Sequence, residues 1–140
     1  MQVQPYVFFN GRCEEALAFY QEVLGAETVT LMRFRENPDP PGPGCIAPGL
    51  DDKVMHAEFR VGTSTLMASD GVADGKPIGS SISLSLTVDS PERVRQLFDA
   101  LGADGGAVQM PMGPTFFSPA FGMVADRFGL SWMVYVAPAT

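Results

Sequence analysis

A short phrase of this sequence occurs twice, and the spacing of the two copies limits the fold more than any other feature. Leu24-Gly25-Ala26-Glu27 returns as Leu101-Gly102-Ala103-Asp104, an offset of 77 residues, and the same offset lays the first strand pattern onto Ser81 to Val88. A chain of 140 residues holds two such copies, whereas a solenoid needs at least about three. The repeat therefore predicts a pseudo-symmetric pair of modules in one domain. They span about 1–72 and 80–140, with the polar, glycine-rich stretch 71–79 as linker.

Each copy reads in the same order. Val3 to Phe9 is β-branched and aromatic, which predicts a strand. Ala16, Leu17, Tyr20, Val23 and Leu24 follow at helical spacing, with Gly25 where a C-terminal cap belongs. Glu27 to Arg35, Lys53 to Val61 and Thr65 to Asp70 predict three further strands. In the second copy Ser81 to Asp89 alternates strictly, and Ser90-Pro91 starts a helix with a capping hydroxyl and a proline at the first helical position. Val94, Leu97, Phe98 and Leu101 form its apolar stripe and Gly102 ends it. Ala107 to Met112, Met123 to Asp126 and Leu130 to Val136 complete the set. The prediction is an α+β fold of two βαβββ modules. Asn37 to Gly49, with five prolines and three glycines, predicts a long loop.

Composition narrows the function classes. A hydrophobic share of 46% with 18% charged residues is that of a folded chain. A net charge of −7 argues against nucleic acid as a partner, since phosphates need a basic footprint. No apolar run approaches the roughly 20 residues of a membrane span. The N-terminal stretch, interrupted by Gln2, Gln4 and Asn10, lacks the pattern of a signal peptide. No membrane partner is expected, and a cytoplasmic location is. Cys13 and Cys45 form no metal-binding pair and read as reduced thiols. No phosphate-loop motif occurs.

The residues resemble a known superfamily. Phe19-Tyr20 followed by Val23-Leu24-Gly25-Ala26 is similar to the helix end of the vicinal oxygen chelate superfamily (glyoxalase I, bleomycin resistance and extradiol dioxygenase proteins). Asp126-Arg127-Phe128-Gly129 falls where that superfamily has a D-P-x-G turn before its last strand. Pro5-Tyr6-Val7-Phe8-Phe9-Asn10-Gly11, Met55-His56-Ala57-Glu58 and Thr115-Phe116-Phe117 with Phe121-Gly122 resemble its PhnB-like branch, often labelled demethylubiquinone methyltransferase-like. The resemblance spans nearly the whole chain. It implies paired curved sheets around a cleft and a homodimer, to which the apolar Met/Phe segments of the second half would contribute. It also implies one divalent metal held on four strands. Carried across, the ligand positions fall on Pro5, at or next to Met67, on Ser83 and on Met133. None is an ordinary ligand for Mg²⁺, Mn²⁺, Fe²⁺ or Zn²⁺, and the chain has one histidine. No metal and no cofactor are expected. The methyltransferase label finds no glycine-rich strand–loop–helix to hold an adenosyl cofactor.

Alternation still points to a polar cavity. Ile82, Leu84, Leu86 and Val88 read as one face of the fifth strand, with Ser81, Ser83, Ser85 and Thr87 opposite. In the last strand Trp132, Val134 and Val136 read inward, leaving Ser131, Met133 and Tyr135 on the other side. In the third strand Met55, Ala57, Phe59 and Val61 read as core, with His56, Glu58 and Arg60 opposite. Ser83, Ser85, Met133, Tyr135 and Met67 are thus candidate ligand-binding residues, and His56 with Glu58 the candidate catalytic pair. Two residues apart, their Cβ atoms lie roughly 6.5–7 Å from each other on one face. A carboxylate there raises the imidazole pKa and makes a general base or an orienting pair. A solvated pair at a sheet edge is the plain alternative. Cys13 stands where a helix dipole lowers a thiol pKa, yet without a partnering histidine or second cysteine it reads as structural. Met110-Pro111-Met112 and Phe116-Phe117 read as core or dimer contact before pocket wall.

Three functions compete on these residues. The chain is a small-molecule binding protein with a metal-free polar cleft; or a lyase, isomerase or transferase using His56 and Glu58; or a metalloenzyme with an unconventional site built on that pair.

Overall fold

The structure is a computed structural model that describes residues 1–38, 49–79 and 81–138. Most of the stretch from Asn37 to Gly49, Cys45 included, lies outside the described residues. The chain divides into two compact units, Met1–Pro77 and Ile78–Thr140.

The first unit runs β1 (Tyr6–Phe8), α1 (Cys13–Leu24), β2 (Glu27–Arg33), a 3-10 turn (Phe34–Glu36), β3 (Val54–Val61) and β4 (Ser64–Ser69). Its sheet has the order β1-β4-β3-β2, with β1 parallel to β4 and the remaining pairs antiparallel. The second unit runs β5 (Ser83–Val88), α2 (Pro91–Gly102), β6 (Ala107–Gly113), β7 (Phe121–Ala125) and β8 (Ser131–Val136), with sheet order β5-β8-β7-β6. The parallel edge recurs as β5 on β8. Element for element the second unit repeats the first, so the fold is α+β with two βαβββ modules.

In the first unit the core lies between α1 and one face of the sheet. Val7 of β1 and Phe9 just past it flank the core, with Ala57 and Phe59 from β3 and Leu66 and Ala68 from β4; α1 contributes Cys13, Ala16, Leu17, Phe19 and Tyr20. Tyr20 stacks on Phe59 with centroids 6.0 Å apart. The helix lacks a side-chain cap of its own. Asp70, just past β4, supplies one instead: its Oδ1 accepts from Cys13 N–H (2.8 Å) and its Oδ2 from Val54 N–H (2.6 Å). A buried carboxylate thereby satisfies a free helix donor at the positive end of the dipole.

Three local expectations change. β1 begins at Tyr6, because Pro5 has no N–H and joins the sheet only through its carbonyl, which accepts from Met67 N–H. In β3 the register shifts opposite Met32 and Arg33, so Val54 rather than Met55 enters the core. In the second unit Ile82 precedes β5 and is exposed, and Leu84, Leu86 and Val88 are only half-buried. The reason is the placement of α2, which packs chiefly on β7 and β8 and leaves the edge strand thinly covered.

The second core is Val94, Leu97, Phe98 and Leu101 of α2 against Val124, Trp132 and Val134. Ser90 caps α2 as expected, its Oγ accepting from Arg93 N–H (3.2 Å). The two copies of the Leu-Gly-Ala phrase serve different needs. Gly25 adopts φ +68° as a left-handed cap. Gly102 ends α2 where a Cβ would sit 2.9 Å from Val124 Cγ2, so its requirement is space.

Candidate functional site

Each sheet has a second face, turned away from its helix, and the predicted site residues lie on these two faces. On the first sheet, pairing aligns Tyr6 with Met67, Met67 with Glu58, and Glu58 with Thr30 in one row across four strands. His56 stands two residues before Glu58 on the same face, opposite Met32. His56, Glu58 and Met67 are all half-buried. The structure thus brings these three predicted residues together.

It also adds one that the sequence reading passed over. The Tyr6 hydroxyl lies 2.8 Å from His56 Nδ1, with the rings tilted and their centroids 5.5 Å apart. Phe8 packs beside Tyr6 at 5.2 Å. Partial burial pushes the Tyr6 phenol above its ordinary pKa. The signal was present in the alternation: Val7 and Phe9 take the core side, which leaves Tyr6 and Phe8 facing the other way. The 77-residue offset likewise sets Tyr6, not Pro5, on Ser83. The first-strand position on the face turned away from the helix is therefore Tyr6.

On the second sheet the predicted residues gather into three rows. The first holds Ser83 and Ser131, paired across β5 and β8. Ser131 is buried; its hydroxyl donates to Gln109 Oε1 (2.6 Å), which can only accept, and it therefore accepts from Ser83 Oγ at 3.1 Å. The second row aligns Ser85, Met133, Met123 and Met110. The third aligns Thr87, Tyr135 and Phe121. Ser85 Oγ donates to the Tyr135 hydroxyl (2.9 Å), and Phe117 closes edge-on against Phe121 and Tyr135 at 5.4 and 6.2 Å. The face grades from hydroxyl and amide groups through thioethers to aromatic rings. Gln109 went unsuspected because β6 carries register shifts on either side of Met110, which hide its alternation, and Phe121 because β7 starts there and not at Met123 as expected.

Cys13 is not an activated thiol. It is fully buried, and burial, followed by the charges of Asp70 and Glu14, pushes its pKa up to about 12. The helix dipole is already answered by Asp70. Asp126, in the turn before β8, is a structural hub. Its Oδ1 accepts from Phe128 N–H (2.9 Å) and Leu130 N–H (3.1 Å), and its Oδ2 from Trp132 Nε1–H (2.9 Å). Gly129 closes the turn at φ +86°, a conformation that favours glycine.

The family model described as 3-demethylubiquinone-9 3-methyltransferase matches residues 1–135. The chain belongs to this family. Within the glyoxalase fold it is the PhnB-like branch. Protein YjdN of Escherichia coli K12 is 35% identical over 142 residues, covering 97% of this chain and 95% of that one. The structure of protein PA1353 from Pseudomonas aeruginosa superposes with a TM-score of 0.81 at 42% identity, over 98% of both chains. A PhnB protein from Bacillus cereus gives 0.79 at 29% identity, over 98% of this chain and all of the other. Structures described as glyoxalase-related or glyoxalase/bleomycin resistance proteins share the fold at TM-scores of 0.56–0.60 and 15–21% identity.

Two groups that such relatives suggest do not fit the residues present. A divalent metal would find neither imidazole nor carboxylate at Tyr6 and Met67 of the first sheet, and neither at Ser83 and Met133 of the second. Among the described residues no group of three or more His, Cys, Asp or Glu side chains gathers. An adenosyl cofactor would need an open helix N-terminus behind a glycine turn. Asp70 occupies that end of α1, and Ser90 with Pro91 fills that of α2. No helix among the described residues is long and apolar enough to cross a membrane.

Proposed function

We propose that this PhnB-like chain binds a small organic molecule without a resident metal. Ser83, Ser85, Met133 and Tyr135 form the binding face of the second sheet, with Met67 in the corresponding role on the first. The observation that carries the reading is the row through Met133. An adaptable, polarisable thioether surface lies between a hydroxyl row and an aromatic wall, a mix that suits an apolar ligand with a few fixed polar groups. A thermal-shift screen of aromatic, quinone and cationic compounds tests it. At least one saturable rise in Tm is expected, reduced in Tyr135→Phe; a screen with none contradicts it.

A second reading draws on His56 and Glu58 as a catalytic pair acting without metal in a lyase, isomerase or transferase. The Tyr6 contact favours it, since an oriented imidazole is more useful in proton chemistry than a freely turning one. Activity that survives both His56→Ala and Glu58→Ala would remove it. A metal-centred site on the same pair is checked by elemental analysis of protein purified without chelator, with less than one metal per chain expected. The homodimer and the cytoplasmic location belong to this proposal too. Exposed Val108, Met110 and Phe116 are apolar surface that a second copy would cover.

A further inference from the structure

We propose that Met110, Met123 and Met133, on the face of the second sheet turned away from α2, bind a soft monovalent cation, Cu(I) or its analogue Ag(I). This goes beyond the organic ligand proposed above, because it gives the thioether row a coordination chemistry of its own.

Register brings the three together. Met133 of β8 pairs with Met123 of β7, and Met123 pairs with Met110 of β6. Alternation explains the first two, since Trp132, Val134 and Val124 take the core side. Met110 needs more. Val108 pairs with Val124 and Met110 with Met123, two steps along β6 against one along β7. Strict alternation would set Met110 on the side of Val108, toward the helix; the extra residue, Gln109, sets it opposite Met123 instead. A bulge re-aims a side chain in this way. Gln109 reaches the same face, where its Oε1 accepts from the Ser131 hydroxyl (2.6 Å). The backbone thus departs from the regular ladder at the point that completes the row.

The spacing suits one ion. Residues directly opposed in an antiparallel pair have Cβ atoms roughly 4.5–5.5 Å apart. Methionine is unbranched and flexible along its side chain, so the outer two sulfurs can turn in over Met123. The row is also reachable. Met123 and Met133 are half-buried and Met110 is 46% exposed, unlike the residues of the core.

The donor type decides the class of cation. Thioether sulfur is soft and selects Cu(I), whereas Mg²⁺, Ca²⁺ and Mn²⁺ need oxygen donors. It carries no proton to lose, so the row stays a donor set across the whole pH range. No ammonium or guanidinium stands in the row or its neighbours to repel a cation: Ser85 continues it, Ser83, Ser131 and Gln109 lie on one side, and Thr87, Tyr135 and Phe121 on the other. The net charge of −7 favours a cation over an anion. Three neutral sulfurs leave the ion its charge, so it exchanges with the medium and is not retained through purification.

The probe is Ag(I), which needs no reductant, titrated without chloride into untagged, ¹³C-methyl-methionine-labelled protein. Cys45→Ser removes one of the two thiols, and Cys13 is fully buried and keeps its proton. The Met110, Met123 and Met133 signals should move together and saturate at one ion per chain, with Met55 and Met67 still. Met123→Leu conserves volume and should weaken Ag(I) binding by more than about 10-fold, with the circular dichroism spectrum kept; Met67→Leu should change nothing. Unchanged affinity in Met123→Leu, saturable shifts confined to Met1 or Met67, or binding lost in His56→Ala overturns the proposal. An organic compound found by thermal shift should still bind Met123→Leu, since leucine keeps the apolar surface. Failure of silver binding therefore leaves the organic ligand standing, and an empty compound screen leaves the silver result standing.

Discussion

Replacing Asp126 with Asn should destabilise the second unit far more than its nearly identical size suggests. The carboxylate is 2% exposed and takes two backbone donors on Oδ1 and the Trp132 indole on Oδ2. An amide keeps one acceptor oxygen. If it stays with Phe128 and Leu130, the amide N–H₂ is turned toward Trp132 Nε1–H, donor against donor. Losing one charge-assisted bond and stranding a buried donor costs about 2–3 kcal/mol. Asp126→Ala removes the acceptor for all three donors and should cost about 4 kcal/mol or more. Urea unfolding followed by far-UV circular dichroism measures both. Trp132→Phe removes the indole donor, so in that background Asp126→Asn should cost about 1–2 kcal/mol less, which a double-mutant cycle isolates. An Asn variant within about 0.5 kcal/mol of the parent, or a cycle with no coupling, would refute the reasoning.

Three further outcomes follow from other parts of the molecule. The Cys13 thiol, pushed up to about 12, keeps its proton in the folded state after the unfolded chain has lost it, so stability falls as pH rises above the ordinary thiol range. The loss is about 1.4 kcal/mol per pH unit; denaturant titrations should give a flatter alkaline profile in Cys13→Ala. Gly122→Ala would place a methyl 2.7 Å from the Phe98 ring, costing about 1–3 kcal/mol in the same titration. Ser90→Ala removes the cap of α2 and should lower stability by about 1 kcal/mol, recovered by Ser90→Asp.

The order of elements was legible because it rests on letters with few alternatives: the repeated Leu-Gly-Ala phrase, the Ser-Pro helix start and the strict alternation of Ser83 to Val88. The face bearing His56, Glu58 and Met67 followed from a period of two. Where the backbone breaks that period, reading failed. The β2–β3 shift moved Val54 into the place expected for Met55, and the β6 shifts concealed Gln109. Tyr6 was misplaced for a smaller reason, a count begun on Pro5, which cannot join the ladder through nitrogen. Cys13 shows the remaining limit. A helix start reads as an activating environment in sequence, and only the fold brings in Asp70, 57 residues away, to take that role.

The most direct measurement of ligand binding at these faces uses the chain's eight methionines. With ¹³C-methyl labelling, a compound selected by thermal shift should move the Met133 and Met123 signals saturably, with Met67 responding if the first sheet takes part. Met1, exposed and off both sheets, should stay still. Saturable shifts confined to Met1 or Met55, with Met133 and Met67 unmoved, would contradict the account.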